Sequence, residues 1–160
     1  MSGVVIDANL LCLWVVGAFQ REAIGRHARL RAFDGMDFEN LAAIFDRLGE
    51  PVLCPQVLAE TSNLITYRVP PGDDRRWRRS LALVIERHAE RAIESRRAIT
   101  DPAYDRLGLT DAVLIMLATD PALHLLSDDL GLCLEAARRG LRAINYNHIR
   151  DGALTIDQLQ

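Results

Sequence analysis

The sequence contains no lysine, and all 19 of its basic residues are arginines. A phosphate-binding loop of the GK[ST] type cannot be written without lysine, and the glycines from Gly131 to Gly140 lack the spacing of a dinucleotide-binding loop. Phosphoaspartate enzymes and response-regulator receivers also place an aspartate at a strand end, but they normally need a partner lysine. No G-x-S-x-G motif occurs, which excludes a serine hydrolase of that type.

Cysteines are few, and long apolar runs are missing. Cys12, Cys54 and Cys133 are odd in number and lie in apolar segments without metal-ligand spacing, so we expect buried, reduced thiols. Asp7 and Asn9 interrupt the apolar stretch near the N-terminus, which falls short of the roughly 20 residues of a membrane span. No basic stretch precedes it, as a secretory signal would require. We therefore expect a cytoplasmic protein that does not contact a membrane.

Apolar runs alternate with helical patterns along the chain. Its 160 residues, 49% of them hydrophobic, are enough for one domain, 1–160, although the tail from about residue 152 is weakly specified. Strands are predicted to begin near Val4, Val52, Leu123 and Ala143. Near-continuous apolar strands between helices are typical of a parallel sheet that is covered on both faces. The predicted fold is an α/β domain with three layers, α/β/α, and a short parallel sheet.

Local signals predict where further elements begin. The segment 69–72 contains two prolines and a glycine and indicates a loop, after which Asp73 or Asp74 can cap a helix. Residues 92–93 are predicted to form a short additional strand. Thr110 is predicted to be the N-cap of the apolar helix that follows it.

Acidic residues lie at four landmarks of this predicted fold: Asp7, Glu60, Asp111 and the adjacent pair Asp128 and Asp129. Asp7 ends the apolar run 4–6, and the pair follows the run 123–126. In an open α/β sheet, the carboxyl ends of the strands build the ligand crevice. Because all four landmarks are predicted at one edge of the sheet, they indicate a site for a hard divalent cation, which prefers oxygen ligands.

Each acid also has a purely structural explanation. It is weakest for Asp7, because a carboxylate at the end of a buried strand needs several hydrogen-bond donors or a metal. Asp111 in a first helical turn could serve the helix dipole alone, and Glu60 could be a solvated residue beside an apolar stripe. Asp128 or Asp129 could cap the next helix. A shared crevice would favour the functional explanation.

The arginines are unevenly distributed. Residues 75–97 hold eight arginines against three glutamates, whereas the whole chain has a net charge of −3. A locally basic segment can bind nucleic acid even in an acidic protein, and the alternative is a solvated helix face. The predicted RNA contacts are Arg75, Arg76, Arg78 and Arg79.

Four segments of the chain carry a resemblance to a known family: Val5-Ile6-Asp7-Ala8-Asn9, Glu60, Leu109-Thr110-Asp111-Ala112 and Leu126-Ser127-Asp128-Asp129. In this order they resemble the acidic motifs of PIN-domain ribonucleases, which include the VapC-type toxins. The first and third are the more specific. The fourth motif of the family usually has a hydroxyl residue, one intervening residue and an aspartate. Ser127 and Asp129 match that pattern, and the adjacent Asp128 is the alternative fourth acid.

The resemblance implies a small parallel sheet between helices and cleavage of single-stranded RNA with Mg²⁺ or Mn²⁺. It also implies homodimers. If the protein is a toxin, the resemblance implies a small antitoxin that inserts a segment over the acidic crevice, with an arginine to pair with it.

The residue types suit this chemistry. Two carboxylates about 4 Å apart repel each other by about 4 kcal/mol at an effective dielectric near 20, and a divalent cation relieves that repulsion. A metal-bound water can then attack a phosphodiester. The expected roles are direct metal ligation by Asp7 and Asp111, ligation or positioning of water by Glu60 and Asp129, and orientation of the ligands by Asn9 and Ser127.

Two other functions are compatible with the sequence. One is a PIN-like module that binds RNA or a protein without cutting, although the intact acids argue against it. The other is a metal-dependent phosphatase for a small phosphoester. Only the arginine-rich segment favours a polymer over a small molecule.

Overall fold

The computed structural model describes residues 2–160. The strands are β1 (Gly3–Ile6), β2 (Pro51–Leu53), β3 (Ala89–Glu90), β4 (Leu123–Ser127) and β5 (Ala143–Asn145). The helices are α1 (Ala8–Phe19), α2 (Gly35–Leu48), α3 (Pro55–Ile65), α4 (Asp73–Arg87), α5 (Ser95–Ala98), α6 (Tyr104–Leu107), α7 (Leu109–Leu117), α8 (Leu130–Arg138) and α9 (Tyr146–Arg150). Two short 3₁₀ segments occupy Arg21–Arg26 and Ile156–Gln158.

All five strands are parallel and lie in the order β3-β2-β1-β4-β5. Helices flank the sheet, which confirms the predicted three-layer α/β/α fold. The strands begin close to the four predicted positions. Strands β1 and β4 are buried along their whole length, which explains why their sequences are almost entirely apolar.

The edge strand β3 was predicted in the wrong place. It is formed by Ala89 and Glu90, which pair with Val52 and Leu53, and not by residues 92–93. Both residues of β3 are exposed, so no apolar pattern marks the strand in the sequence. The apolar pair 92–93 lies beyond the last pairing.

Two predicted helix caps were also wrong. Helix α4 begins after Gly72, which ends the proline-rich loop with a φ of 90°. Asp73 and Asp74 lie in the first turn of the helix and do not cap it. Helix α7 begins after Gly108, so Thr110 already belongs to its first turn. In both cases a glycine with positive φ ends the preceding turn before the polar residue is reached. Within residues 2–160, no helix has the length and apolar character needed to cross a bilayer.

Helix α1 lies at the centre of the helical packing and contacts α2, α3 and α4. Trp14 of α1 stacks on Phe38 and meets Phe45 edge-on, with ring centroids 5.0 Å and 4.9 Å away. Gly17 permits this approach, because a Cβ atom there would lie 2.3 Å from the ring of Phe38. This packing fixes α1 and therefore the residue that precedes it, Asp7.

The C-terminal residues are held by side chains from the body of the fold. Arg47 donates hydrogen bonds to the carbonyls of Leu159 and Asp157, each at 2.7 Å. The Leu159 side chain is buried, and the ring of His124 lies 2.9 Å from the carbonyl oxygen of Gln160. The segment beyond residue 152 has a weak sequence signal because it is held mainly through its backbone carbonyls. Every residue has a carbonyl, so such contacts do not select particular side chains.

Candidate functional site

The order in which successive strands are added to the sheet reverses between β1 and β4. From β1 the chain proceeds to β2 and β3 on one side, whereas β4 and β5 lie on the other side. Ligand crevices of open α/β sheets form at such a switch point, outside the carboxyl ends of the strands. Ile6, the last residue of β1, pairs with Leu126. The next residues, Asp7 and the last residue of β4, Ser127, are therefore neighbours.

Asp7 is held at this point by three hydrogen bonds. Its Oδ1 accepts from the backbone N–H of Leu10 at 3.0 Å, which makes Asp7 the N-cap of α1. Its Oδ2 accepts from the hydroxyl of Ser127 and from the backbone N–H of Asp128, the latter at 2.9 Å. Asp7 therefore ties the start of α1 to the end of β4.

These three donors do not offset the cost of burying the Asp7 charge. Burial, followed by the negative charge of Asp128, raises the pKa of Asp7 to about 8, although the hydrogen bonds from Ser127, Leu10 and Asp128 act in the opposite direction. Only 8% of the Asp7 surface is exposed. A positive charge near this carboxylate would favour its ionised form.

Glu60 and Asp111 face the same space from α3 and α7. The hydroxyl of Thr110 donates to Glu60 Oε1, a bond that joins the two helices. Burial, together with the charges of Asp129 and Glu60, raises the pKa of Asp111 to about 6. Thr110 thus positions Glu60, a role different from the predicted helix cap.

Asp128 and Asp129 have different surroundings. The Asp129 side chain accepts a hydrogen bond from the backbone N–H of Leu132 at 2.8 Å and caps α8. This is the structural role that the sequence offered for one of the two acids. Its own N–H donates to the hydroxyl oxygen of Ser127 at 2.9 Å. Asp128 is half-buried, and its carbonyl accepts from the side-chain amide of Asn147 at 2.9 Å. Neither arrangement removes the carboxylate from the site, because both residues line the same crevice.

One crevice of about 380 Å³ brings these acids together. It is lined by Asp7, Ala8, Asn9, Arg29, Glu60, Asn63, Leu64, Asp111, Asp128 and Asp129. We call it the acidic crevice. All the predicted acids and Asn9 line it, and Ser127 lies behind it, fully buried against Asp7.

Sequence reasoning missed two polar residues of the acidic crevice. Asn63 follows Glu60 by one helical turn, and this spacing on one helix face could have revealed it. Arg29 comes from the irregular segment after the 3₁₀ turn, where no pattern predicts its position. Arg29 is the one cation that lines the crevice among residues 2–160.

The oxygen atoms of the crevice are not gathered around one point. In the part of the chain from residue 2 onward, no three histidine, cysteine, aspartate or glutamate side chains are arranged to hold a metal ion. Asp7, Asp129 and Glu60 each accept a hydrogen bond, and Asp128 is half-buried. A metal ion held by three of these carboxylates would therefore require side chains to move.

None of the four arginines predicted to contact RNA lines the acidic crevice. Arg75, Arg78 and Arg79 line a shallow depression on α4, and Arg78 is paired with Asp74 at 2.7 Å. The Arg76 guanidinium lies over the ring of Trp77, 4.9 Å from its centroid. The arginine-rich segment therefore forms a separate basic surface.

The three cysteines are buried and form no disulfide, as expected. Cys133 lies near the acids, and burial, assisted by the charge of Asp7, raises the pKa of its thiol to about 12. A thiol with such a pKa is neutral near pH 7 and is not a nucleophile. Cys133 is therefore not a candidate nucleophile.

No family model, no curated protein and no solved structure matches the chain. The resemblance to PIN-domain ribonucleases thus depends on the four acidic segments alone.

Proposed function

We propose that this protein is a PIN-like endoribonuclease that cleaves single-stranded RNA with Mg²⁺ or Mn²⁺. The observation that carries the proposal is the acidic crevice, in which Asp7, Glu60, Asp111, Asp128 and Asp129 meet at the switch point of a parallel sheet. These residues come from four distant segments, which a set of unrelated helix caps would not require. The order of the segments is the order of the PIN-domain motifs.

The donor set fits a hard divalent cation in its chemistry. All candidate ligands are carboxylate or amide oxygens, and burial and mutual repulsion raise the pKa of both Asp7 and Asp111. Asp7 and Asp111 would hold the ion, with Glu60 and either Asp128 or Asp129 completing the site. When bound, the ion would supply a water of lowered pKa and a counter-charge for the phosphate.

The residues around the acids have positioning roles in this proposal. Ser127 and the N–H groups of Leu10 and Asp128 fix the orientation of Asp7, and Thr110 fixes Glu60. Arg29 is exposed at the crevice and can contact an RNA phosphate that lies over the acids. Asn9 and Asn63 add amide groups that can orient water or ribose hydroxyls.

The PIN-domain resemblance also extends to partners. We include in the proposal a homodimer and, for a toxin, an antitoxin segment that lies over the acidic crevice. An arginine of that segment would be attracted by the same charges that attract a metal ion. The growth of host cells that express the protein without its partner would then stop.

A second candidate function is an RNA-binding module that does not cut. It is favoured by the hydrogen bonds that already occupy Asp7 and Asp129 and by the spread of the acids around the crevice. This candidate shares the RNA partner with the nuclease but not the metal. The two differ in one measurable property, the metal-dependent cleavage of RNA.

The test is incubation of purified protein with mixed RNA, with Mn²⁺ or with EDTA, beside the Asp7→Asn variant. The nuclease proposal expects fragments only from the unmodified protein with Mn²⁺. Intact RNA in every lane, with RNA binding retained, would establish the non-cutting module. Release of phosphate from a small phosphoester, without RNA fragments, would point to a phosphatase.

A further inference from the structure

A second cavity, of about 350 Å³, lies between the 3₁₀ segment Arg21–Arg26 and the first turn of α4. Arg26, Arg68 and Arg76 line it, and Asp73 is the one acid in its lining. Trp77 forms part of its wall and is 3% exposed. We call it the arginine cavity. Its three guanidinium groups and single carboxylate give it an excess of positive charge.

The three guanidinium groups of the arginine cavity have no anionic partner among residues 2–160. Some other arginines of the chain pair with carboxylates, as Arg78 does with Asp74 and Arg150 with Asp37, whereas exposed ones such as Arg142 also lack such a partner among residues 2–160. Arg76 instead lies over Trp77, which holds its guanidinium in place without neutralising its charge. Unpaired guanidinium groups at a concave surface are suited to a phosphate, which they can bind through paired hydrogen bonds.

The backbone of Arg68 is strained. Its φ of 50° is the one positive value at a non-glycine position in residues 2–160. Glycine or asparagine adopts this conformation at lower cost, which makes the Arg68 side chain a candidate for a functional role. The Arg68 guanidinium lies 5.1 Å from the ring centroid of Tyr67 and lines the arginine cavity.

Tyr67 connects the arginine cavity with the acidic crevice. The guanidinium groups of Arg68 and Arg29 both lie over its ring, 5.1 Å and 5.8 Å from the ring centroid. Arg29 lines the acidic crevice, whereas Arg68 lines the arginine cavity. Tyr67 is 43% exposed, so a nucleobase that displaced one of these guanidinium groups could stack on its ring.

His27 does not provide an alternative ligand in the arginine cavity. Its Nε2 lies 3.0 Å from the carbonyl oxygen of Ile65, and its Nδ1 accepts from the backbone N–H of Arg29 at 3.2 Å. Both ring nitrogens are thus used to hold the segment that carries Arg29. Recognition in the cavity is left to the guanidinium groups.

We propose that the arginine cavity binds a backbone phosphate of the RNA strand whose scissile bond lies in the acidic crevice, with one intervening base stacked on Tyr67. This inference rests on the proposed function for the position of the scissile bond. The chemistry that the cavity recognises is a nucleotide phosphate, which a free mononucleotide also carries. An RNA strand is favoured because Tyr67 and Arg29 continue the contact surface toward the acids.

The test is fluorescence anisotropy with a labelled single-stranded RNA in EDTA, where cleavage does not interfere. The variants are Arg68→Gly, Arg68→Asn and Tyr67→Ala, with Arg142→Ala as the control, because Arg142 is exposed and lines neither cavity. Both residues adopt the left-handed backbone more readily than arginine does, so neither variant should have a Tm much below that of the unmodified protein.

We expect each Arg68 variant to bind RNA about tenfold more weakly and to lower the slope of log Kd against log salt by about 0.7, the value for one phosphate on a single strand. Tyr67→Ala should weaken binding by about tenfold or more, which corresponds to the loss of one stacked base. Arg142→Ala should bind as the unmodified protein does. Unchanged binding and salt slope in both Arg68 variants would overturn the inference, as would an unmodified protein that binds no RNA.

A second arm uses adenosine monophosphate as the competitor. Weak competition supports an RNA strand that spans both sites. Displacement of the RNA by adenosine monophosphate at concentrations near the Kd of the RNA would overturn the proposal that the cavity binds a strand. RNA cleavage is measured separately with Mn²⁺. Weakened binding in the Arg68 variants, combined with no cleavage by the unmodified protein, would keep the cavity as an RNA site and refute the nuclease proposal alone.

Discussion

The hydroxyl of Ser127 donates a hydrogen bond to the carboxylate of Asp7, 120 residues away in the sequence. Asp7 directly follows β1, and Ser127 is the last residue of β4, which pairs with β1 in parallel. Both residues are buried. The bond joins the two halves of the sheet at its switch point. It also holds one carboxylate in place in a region where several negative charges repel each other.

The stability of the metal-free protein should depend on the charge of Asp7. The pKa of Asp7 is raised to about 8 in the folded protein, from a usual value of 3.8, so the folded state retains a proton that the unfolded state has lost. The contribution of Asp7 to stability should therefore fall as pH rises from about 4 to about 8. Asp7→Asn removes this dependence, and its Tm relative to the unmodified protein should increase over the same range.

Calorimetry in EDTA at several pH values measures this difference. Addition of Mn²⁺ should raise the Tm of the unmodified protein more than that of Asp7→Asn, because the ion binds the folded state. If the Tm difference between the two proteins does not change between pH 4 and pH 8, Asp7 is not the source of a pH-dependent stability. The amide cannot accept all three hydrogen bonds, which lowers the Tm of the variant by a similar amount at each pH.

The two adjacent acids can be separated by their effects on their neighbours. The charge of Asp128 raises the pKa of Asp7, and the charge of Asp129 raises that of Asp111. Asp128→Asn should therefore lower the pKa of Asp7, and Asp129→Asn that of Asp111, in a carboxyl NMR titration. If Asp129 is the fourth acid, Asp129→Asn should abolish cleavage and Asp128→Asn should be milder. The reverse order would transfer the role to Asp128.

Asp129 needs a further control because it also caps α8. Asparagine is a good N-cap, so Asp129→Asn should retain the stability of the helix, whereas Asp129→Ala should cost about 1 kcal/mol. Chemical denaturation measures this loss. An equal loss of cleavage in both variants would assign the effect to charge and not to the cap.

Thr110 should act on the site through Glu60. Thr110→Val keeps the shape of the side chain but removes the hydroxyl that holds Glu60 Oε1. We expect about a tenfold loss in Mn²⁺ affinity and in cleavage rate, the lower end of the range for groups that orient metal ligands. Thr110→Ser retains the donor and should restore both quantities. Calorimetric titration with Mn²⁺ gives the affinity independently of cleavage.

A separate group of charges stabilises the fold. Glu135 is buried and binds Arg106, Arg138 and Arg139, and Arg139 also donates two hydrogen bonds to Asp101, at 2.9 Å and 2.8 Å. The side-chain hydrogen bond from Arg106 lowers the pKa of Glu135, and the one from Arg139 lowers that of Asp101. The pKa values of Glu135 and Asp101 in the folded protein lie below their usual values of 4.5 and 3.8. The two carboxylates therefore contribute their full stabilisation above these usual values, and the stabilisation is lost as pH falls through the lowered pKa values.

Glu135→Gln should therefore lower the Tm at pH 7, and the difference from the unmodified protein should narrow below about pH 4, where carboxylates begin to protonate. The matched control is Glu39→Gln, which breaks an exposed pair with Arg21. Exposed pairs contribute little, so this control should change the Tm only slightly. Equal Tm losses in the two variants would contradict a special role for the buried carboxylate. Thermal denaturation at pH 7 and pH 3 is sufficient.

The sequence by itself determined four of the five strands of residues 2–160 and the acids that line the acidic crevice. Asp7 was identifiable because it follows an apolar strand, and the strands were identifiable because burial on both faces requires continuous apolar residues. Asp111 was identifiable because an apolar helix follows it. Such signals are local, and they are readable because burial constrains each residue by its own position along the element.

Only the tertiary structure decided which groups meet. The strand order placed Asp7 beside Ser127, the packing of α3 on α7 gave Glu60 its partner Thr110, and an irregular segment brought Arg29 to the acidic crevice. The exposed strand β3 and the glycine caps of α4 and α7 were missed because no apolar pattern marks them. Contacts between distant segments depend on register, helix packing and loop conformation, which are properties of the whole folded chain and of no single stretch of sequence.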